Sequence, residues 1–249
     1  MHTFVINLAH ATERWELMEK QLKALQIDHT RVEGVYGNRL AEPITDYNER
    51  KYRILHGKTT NTGEVGCYLS HIKTLRAFLC SDANHALVLE DDVQLPDNIF
   101  NLIKQALNFS KHWNLLRLTA FSPGKHLSFA DLSDGFKMSY NLKVLKNTGA
   151  YVIDRKAAKC VLEKMLPMFL PYDVALDREW HYGFKTACIS PLPIPLNMEL
   201  PGQIPPTRKI RFYRSTSYHA FHALTHVERK WYRRQFYNNA LFKTKEDLT

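Results

Sequence analysis

The sequence has few cysteines and no long apolar run, and both absences narrow the class of protein. Its 249 residues include four cysteines, none in a CxxC pair, and no histidine stands at zinc-finger spacing, so a zinc-binding module is not indicated. Scattered thiols in a chain of this length are typical of small core residues in a reducing compartment. No apolar run approaches the ~18 residues of a membrane span, and the first residues do not resemble a secretory signal peptide. We therefore expect a cytoplasmic protein.

The sequence also lacks enough acidic residues to balance its basic ones. Lys and Arg number 34 against 25 Asp and Glu, which gives a formal net charge of +9 at pH 7. An excess of positive charge favours an anionic partner such as nucleic acid, a membrane surface or a phosphorylated ligand. Most of the excess lies near the C-terminus, interleaved with aromatic residues. We therefore divide the chain into one domain over residues 1–204 and a basic, aromatic tail over residues 205–249.

The strands and helices predicted for the first third of the chain alternate. Apolar runs predict strands at 3–8 and 85–90, and a further strand is expected at 29–35, where Gly34 and Gly37 mark its end. Apolar residues at helical spacing predict helices at 15–25 and 64–79. This alternation predicts an α/β fold with a mixed, mostly parallel central sheet flanked by helices. The remaining predictions are a mobile loop or lid at 38–62, strands at 113–121 and 143–153, a helix at 155–168 and an extended proline-rich segment after 187.

Three acidic residues, Glu90, Asp91 and Asp92, directly follow the apolar run at 86–89. In a parallel sheet, ligands bind beyond the carboxyl ends of the strands. Side-chain alternation places Glu90 and Asp92 on one side of the strand and Asp91 on the other. Carboxylates this close repel unless a cation lies between them, and an oxygen-only ligand set favours Mg²⁺ or Mn²⁺. The alternative is an ordinary acidic turn after a strand.

Five segments, in order along the chain, resemble glycosyltransferase family 25. This family contains the bacterial lipopolysaccharide and lipooligosaccharide galactosyltransferases and has relatives among collagen galactosyltransferases. Asp154 stands where the family usually has serine. The segments are FVINLAHATERW (4–15), NTGEVGCYLSHIKTL (61–75), HALVLEDDV (85–93), NTGAYVIDRKAAK (147–159) and PYDVALD (171–177).

The resemblance implies a GT-A-like nucleotide-sugar-binding fold. It also implies an inverting, metal-dependent transfer of a sugar, usually galactose from UDP-galactose, onto a lipid-linked oligosaccharide acceptor. Mn²⁺ or Mg²⁺ would neutralise charge on the departing UDP. Asp92 is the expected direct metal ligand, and Glu90 or Asp91 is expected to contact the metal, the ribose or a metal-bound water.

An inverting transfer requires a base that removes the proton from the acceptor hydroxyl. Asp173 is the first candidate, because it matches the aspartate of the family's segment in PYDVALD. Asp177 is the second candidate, one helical turn further along. The alternative role for Asp173 is to cap a helix from Val174 to Trp180.

Residues after the first strand are candidates for binding the donor. Asn7 and Arg14 lie where the first strand-to-helix connection of such sheets binds a nucleotide, although an exposed helix charge is the alternative for Arg14. Thr148 and Gly149 lie next to a strand, where a small residue allows a ligand to approach closely. A lone helical histidine is usually structural, but the resemblance extends the candidates to Ser70, His71 and Gln203. Glu90 and Asp91 of the acidic triplet complete the donor-binding candidates.

Three roles are open for the basic tail. It could pack partly on the core, bind nucleic acid through phosphate contacts and stacking, or lie on an anionic membrane. The family's lipid-linked acceptors favour the inner surface of the cytoplasmic membrane, with the protein peripheral to it and no nucleic acid bound. The rival functions are a basic nucleic-acid-binding module, a metal-dependent phosphohydrolase, and a transferase of the same family that uses UDP-glucose or UDP-N-acetylgalactosamine.

Overall fold

The strands form a single eight-stranded mixed sheet in the computed structural model, which describes residues 1–197 and 216–246. The strand order is β2-β1-β3-β7-β4-β8-β6-β5. The strands are β1 (His2–Asn7), β2 (His29–Glu33), β3 (His85–Glu90), β4 (Leu115–Arg117), β5 (His126–Asp131), β6 (Lys137–Asn141), β7 (Ala150–Asp154) and β8 (Thr186–Ser190).

Helices cover both faces of the sheet. They are α1 (Thr12–Ala24), α2 (Glu49–His56), α3 (Thr62–Leu79), α4 (Ile99–Leu107), α5 (Arg155–Lys164), α6 (Tyr172–Leu176), α7 (Glu179–Tyr182) and α8 (Thr216–Glu246). The α/β prediction, with a mixed sheet flanked by helices, is confirmed.

The expected predominance of parallel pairing is wrong. Three of the described pairings are parallel, β1 with β2, β1 with β3 and β4 with β8, and the other four are antiparallel. Crossovers of the βαβ kind build only the first third of the sheet. Beyond it, β7 runs antiparallel between β3 and β4, and β5 and β6 form a hairpin at the edge.

Alternation along the central strands produces two apolar layers. Val88 of β3 and Tyr151 of β7 pack with Ile72 of α3 on one face. Their neighbours Leu89 and Val152 pack on the other face with residues of α1 and α4. Because side chains alternate, Glu90 continues the α3 face of β3, which directs it towards that helix.

Two segments that were predicted without a helix or strand contain one. The expected lid at 38–62 contains α2, which begins after Asn48, whose side chain accepts a hydrogen bond from the Lys51 amide, and ends at Gly57 with φ 70°. Tyr52 anchors this helix in the core with no exposed surface. The predicted extended segment after 187 instead includes the end of β8.

The C-terminal helix α8 packs on the rest of the chain through polar contacts. Arg233 is 2% exposed and donates hydrogen bonds to Glu179, Asp177 and the carbonyl oxygen of Asn141. No helix among the described residues is long and apolar enough to cross a bilayer. The domain boundary at residue 204 stays a prediction, and Gln203 lies outside the described residues.

Candidate active site

A cleft opens where β1 and β3 end, at the position that the sequence predicts for a ligand. Its space, including the part continuous with solvent, is about 760 Å³. Its walls come from the ends of β1 and β3, the segment after β2 and the first half of α3. The lining residues include Asn7, Arg14, Tyr36, Cys67, Ser70, His71, Glu90, Asp91 and Asp92.

Among the three acids of the triplet, Asp91 has the negative charge that neighbouring side chains balance most completely. It is 6% exposed and accepts hydrogen bonds of 2.6 Å each from Asn7 Nδ2 and Arg14 Nη1. Asn7 is held in turn by Arg31, whose Nη2 donates to Asn7 Oδ1 at 2.5 Å. The structure therefore brings Asn7, Arg14 and Asp91 together as a cluster that joins β1, α1 and the end of β3. Their contact with a nucleotide stays a prediction.

Glu90 faces the opposite side of the strand and meets α3. Its Oε1 lies 3.1 Å from His71 Nε2 and accepts a hydrogen bond of 3.2 Å from the Thr148 hydroxyl. The His71 ring has no exposed surface and stacks on the Tyr172 ring, with the ring centres 4.2 Å apart and the planes at 6°. Three predicted donor-site residues, His71, Glu90 and Thr148, thus form one hydrogen-bonded group.

Asp92 is the acid of the triplet with a buried oxygen to which no side chain of the described residues hydrogen-bonds. Its Oδ1 is buried and has no hydrogen-bond partner among the described residues, and its Oδ2 lies 3.6 Å from Arg14 Nη1. Burial and the adjacent negative charge of Glu90 raise the pKa of Asp92 to about 7, although Arg14 opposes the rise. A partly buried carboxylate with an unpartnered oxygen at the cleft wall can accept a cation.

Ser70 supports the wall of the cleft. Its hydroxyl accepts a hydrogen bond of 2.8 Å from the Val35 amide and donates one of 2.7 Å to the Gly66 carbonyl. A Cβ on Gly66 would lie 2.5 Å from the Val35 carbonyl oxygen, so this approach of α3 to the segment after β2 requires glycine. These contacts fix the backbone that carries Tyr36 into the cleft.

Gly149 permits a close approach, but by protein side chains. A Cβ at this position would lie 2.9 Å from Val93 Cγ1 and 3.0 Å from Asn147 Oδ1. The Gly149 carbonyl accepts a hydrogen bond of 2.7 Å from the Glu90 amide, which fixes the backbone of the acidic triplet. The close approach of Val93 and Asn147 therefore explains why position 149 needs a small residue, and no ligand is required for that explanation.

The two candidate bases have different surroundings. Asp173 lies inside α6, is half-buried and accepts a hydrogen bond of 3.0 Å from the Asn147 amide. Asp177 is 1% exposed, with its oxygens 2.9 Å from Arg233 Nη2 and 3.0 Å from Arg229 Nε. Asp177 thus has no accessible oxygen for an acceptor, and its geometry favours a structural role.

Residues 1–176 match the protein-family model described as Glycosyltransferase family 25 (LPS biosynthesis protein). The chain belongs to glycosyltransferase family 25. The resemblance predicted from the five sequence segments is therefore confirmed. The matched region contains the acidic triplet, every described residue that lines the cleft, and Asp173.

Several curated relatives share parts of this family 25 chain. It is 35% identical over 98 residues to procollagen galactosyltransferase 1-A of Xenopus laevis, over 36% of this chain and 16% of that protein. It is 30% identical over 209 residues to a glycosyltransferase 25 family member of Anopheles gambiae, over 76% of this chain and 34% of that protein.

Another relative shows that family membership and activity are separate questions. The chain is 29% identical over 196 residues to the inactive glycosyltransferase 25 family member 3 of Mus musculus, over 73% of this chain and 33% of that protein. The chain thus spans about a third or less of the length of these three relatives. Turnover by this family 25 chain therefore needs its own test.

Cys67 and Tyr36 are among the cleft residues that were not predicted from the sequence. Cys67 lines the cleft one helical turn before His71, and Tyr36 lines it with 38% of its surface exposed. The spacing of Cys67 and His71 was a usable signal, because residues four apart share a helix face. Tyr36 had no comparable signal, since its position depends on how Gly37 and Gly66 bring two segments together.

Proposed function

We propose that this chain is an active, inverting, metal-dependent glycosyltransferase that moves galactose from UDP-galactose to a glycan acceptor. The observation that supports it most is Asp92, a partly buried carboxylate whose Oδ1 has no hydrogen-bond partner among the described residues. It lies in a cleft at the carboxyl end of β3, in a chain of glycosyltransferase family 25. Galactose is the first choice because one relative is named a galactosyltransferase.

The donor set at Asp92 fits Mn²⁺ or Mg²⁺. Its ligand atoms are carboxylate oxygens, and hard divalent cations prefer oxygen and are often held by one or two carboxylates together with substrate phosphates. The pKa of Asp92 is raised by burial and by Glu90, so a cation beside it would relieve an unfavourable charge. When bound, such a cation neutralises negative charge on the pyrophosphate. Asp92 would hold it, with Glu90 adjacent.

Donor recognition is assigned to the residues around the metal position. The Arg14 guanidinium, held by Asp91, supplies positive charge beside Asp92, where a pyrophosphate would lie. The exposed Tyr36 ring offers a face on which a nucleobase can stack. Ser70, Thr148 and Gly149 position these elements through the contacts described above. Gln203 stays a proposed donor contact outside the described residues.

Asp173 is the proposed general base. Asp173 is the less buried of the two candidates, and its negative charge contributes to the raised pKa of the cleft thiol Cys67, behind burial and Glu90. As a carboxylate, Asp173 can accept the proton of the acceptor hydroxyl. Asp177 is occupied by Arg229 and Arg233, so it belongs to the attachment of α8.

The proposed acceptor is lipid-linked, with the enzyme on the inner face of the cytoplasmic membrane. Helix α8 carries Leu224, Val227 and Trp231 with exposures of 64%, 66% and 65% on neighbouring turns, and Lys230 and Arg234 beside them are exposed. We call these five residues the outer face of α8. An apolar stripe with flanking cations is suited to an anionic membrane surface.

The nucleic-acid alternative receives less support from the same helix. Arg229 and Arg233 are 4% and 2% exposed and pair with Asp177 and Glu179, so they do not reach an external phosphate backbone. Nucleic-acid binding relies on accessible Lys and Arg contacts to phosphates. Part of the basic charge noted in the sequence is therefore used inside the protein.

The test is turnover of UDP-galactose, UDP-glucose and UDP-N-acetylgalactosamine, with Mn²⁺ or with EDTA. UDP release would be followed with water and short oligosaccharides as acceptors, and the product anomer would be assigned by NMR. We expect the highest rate with UDP-galactose and Mn²⁺, an inverted product, and loss of activity in Asp92→Asn. Asp97→Asn, at an exposed aspartate five residues away, is the matched control.

Other outcomes separate the alternatives. A highest rate with another sugar would keep the transferase and change the donor. Release of phosphate from any of these nucleotides would favour the phosphohydrolase. A folded protein that turns over none of the donors would contradict the proposed activity and group this chain with its inactive relatives.

A further inference from the structure

Cys67, His71 and Glu90 form a mixed cluster of metal-binding groups in the cleft. Cys67 and His71 lie one turn apart on the same face of α3, and Glu90 ends the adjacent strand β3. The Cys67 sulfur, an imidazole nitrogen of His71 and a carboxylate oxygen of Glu90 all lie within 4.8 Å of one another. His71 Nε2 and Glu90 Oε1 are already 3.1 Å apart, close to the spacing of two ligands on one ion.

We propose that Cys67, His71 and Glu90 bind Zn²⁺ or a similar borderline divalent cation, at a site separate from the oxygen-ligand site at Asp92. Thiolate and imidazole ligands favour Zn²⁺, whereas Mn²⁺ and Mg²⁺ prefer carboxylates and water. The thiolate and the carboxylate together carry the two negative charges that neutralise a divalent cation. The two sites are therefore selective for different metals although they lie side by side.

The residues behind the cluster hold its ligands in place. His71 Nδ1 lies 3.1 Å from the Tyr151 hydroxyl, so Nε2 is the nitrogen left facing Glu90 and the cluster. Stacking on Tyr172 fixes the plane of the imidazole, and the Thr148 hydroxyl donates to Glu90 Oε1. Partners of this kind orient metal ligands and contribute to metal affinity.

Cys67 and Glu90 are partly exposed in the cleft, so an ion can reach them from solvent, and His71 lies buried behind them. All three residues line the cleft, so three protein ligands would leave a fourth coordination position open towards it. A metal-free cysteine thiol carries its proton at neutral pH. A bound cation displaces that proton to solvent as the thiolate becomes a ligand.

The experiment uses the full chain, stripped of metal with EDTA and then titrated with Co²⁺ as a spectroscopic substitute for Zn²⁺. We expect a thiolate-to-cobalt charge-transfer band that saturates at one ion per chain and is displaced by Zn²⁺. The band should vanish in Cys67→Ser and persist in Cys80→Ser and Cys160→Ser. Tyr151→Phe should weaken Zn²⁺ binding by about 10–100-fold, because it removes the partner of His71 Nδ1.

Two results would overturn the site: no thiolate band in the wild type, or an unchanged band in Cys67→Ser. If circular dichroism shows that Cys67→Ser does not fold, alkylation of native wild-type protein decides instead. Saturating Zn²⁺ should then protect Cys67 from the reagent in peptide mass spectrometry while Cys80 reacts at the same rate, and unprotected Cys67 would refute the proposal. The inference does not depend on sugar transfer, because no step of the test uses a nucleotide sugar.

Discussion

Three adjacent carboxylates at the end of β3 meet three different environments. Asp91 pairs with Arg14 and Asn7 on one side of the strand. Glu90 contacts His71 on the other side, and Asp92 keeps a buried oxygen without a partner among the described residues. Because side chains alternate along a strand, Asp91 and Glu90 face opposite sides of β3. Asp92 is then the acid whose charge an external ligand would have to balance.

The raised pKa of Asp92 predicts a pH-dependent gain in stability for Asp92→Asn without metal. The folded pKa of about 7 lies above the reference value of 3.8, so Asp92 favours folding most when protonated. This contribution is complete below about pH 4 and disappears as the pH rises through 7. Urea unfolding in EDTA should show Asp92→Asn more stable than wild type by on the order of 2–4 kcal/mol at pH 8.

At pH 4 the two proteins should unfold at the same urea concentration. Asp97→Asn controls for the loss of one acidic charge, since that residue is exposed. Equal stability of Asp92→Asn and wild type at both pH values would show that the Asp92 carboxylate is not perturbed in the folded protein.

Substitutions of Asp173 and Asp177 should affect different properties, the first mainly activity and the second mainly stability. Asp173→Asn removes the proposed base and should lower kcat by about 10²–10⁴-fold, while lowering the melting temperature less than Asp177→Asn does. Asp177→Asn weakens the pairing with Arg229 and Arg233, so it should lower the melting temperature. Steady-state kinetics and thermal unfolding of both variants measure the difference. A fall in kcat confined to Asp177→Asn in folded protein would reverse the assignment.

β3 and α3 are two elements that their apolar patterns predicted. β3 was expected at residues 85–90 and α3 at 64–79, and the structure has them at His85–Glu90 and Thr62–Leu79. The helix α2 was missed because it has one buried residue, Tyr52, among polar neighbours. The β5–β6 hairpin was missed as well. Short elements of this kind depend on tertiary contacts that a local pattern does not contain.

Arg233 is one of two buried arginines that attach α8, and it pairs with both Asp177 and Glu179. Arg233→Ala would leave Asp177 and Glu179 buried without their main partner, and breaking a buried pair in this way costs about 3–5 kcal/mol. Urea unfolding should show a loss of this size. Arg234→Ala changes the exposed neighbouring arginine and should have little effect. Equal effects of the two variants would mean that the buried network contributes nothing specific.

At the scale of the molecule, the sequence predicted where the cleft lies better than which contacts form it. The triplet could be placed at a strand end from its apolar run, and the family segments supplied Asn7, Arg14 and His71. The pairing of Asp177 with Arg233 joins residues 56 positions apart, so no local spacing could predict it. The same holds for the approach of Gly37 to α3, which shapes the rim of the cleft.

The outer face of α8 predicts binding to anionic vesicles. In cosedimentation, wild-type protein should bind vesicles of anionic phospholipid more than neutral ones, and salt should weaken the binding. Leu224→Ser and Trp231→Ala should reduce binding, since each removes an exposed apolar side chain. Leu17→Ser, at a 47% exposed leucine of α1, is the matched control. Equal loss in all three variants, or none, would contradict a role for this face.

The most direct measurement of the central claim is the melting temperature with UDP, with and without Mn²⁺. A ligand that binds the folded state at 100 times its Kd stabilises it by about 2.7 kcal/mol. We predict that UDP with Mn²⁺ raises the melting temperature of the wild type and of Asp97→Asn but not of Asp92→Asn. Stabilisation by UDP that is the same in EDTA, or that persists in Asp92→Asn, would contradict a metal-dependent nucleotide-sugar site at this cleft.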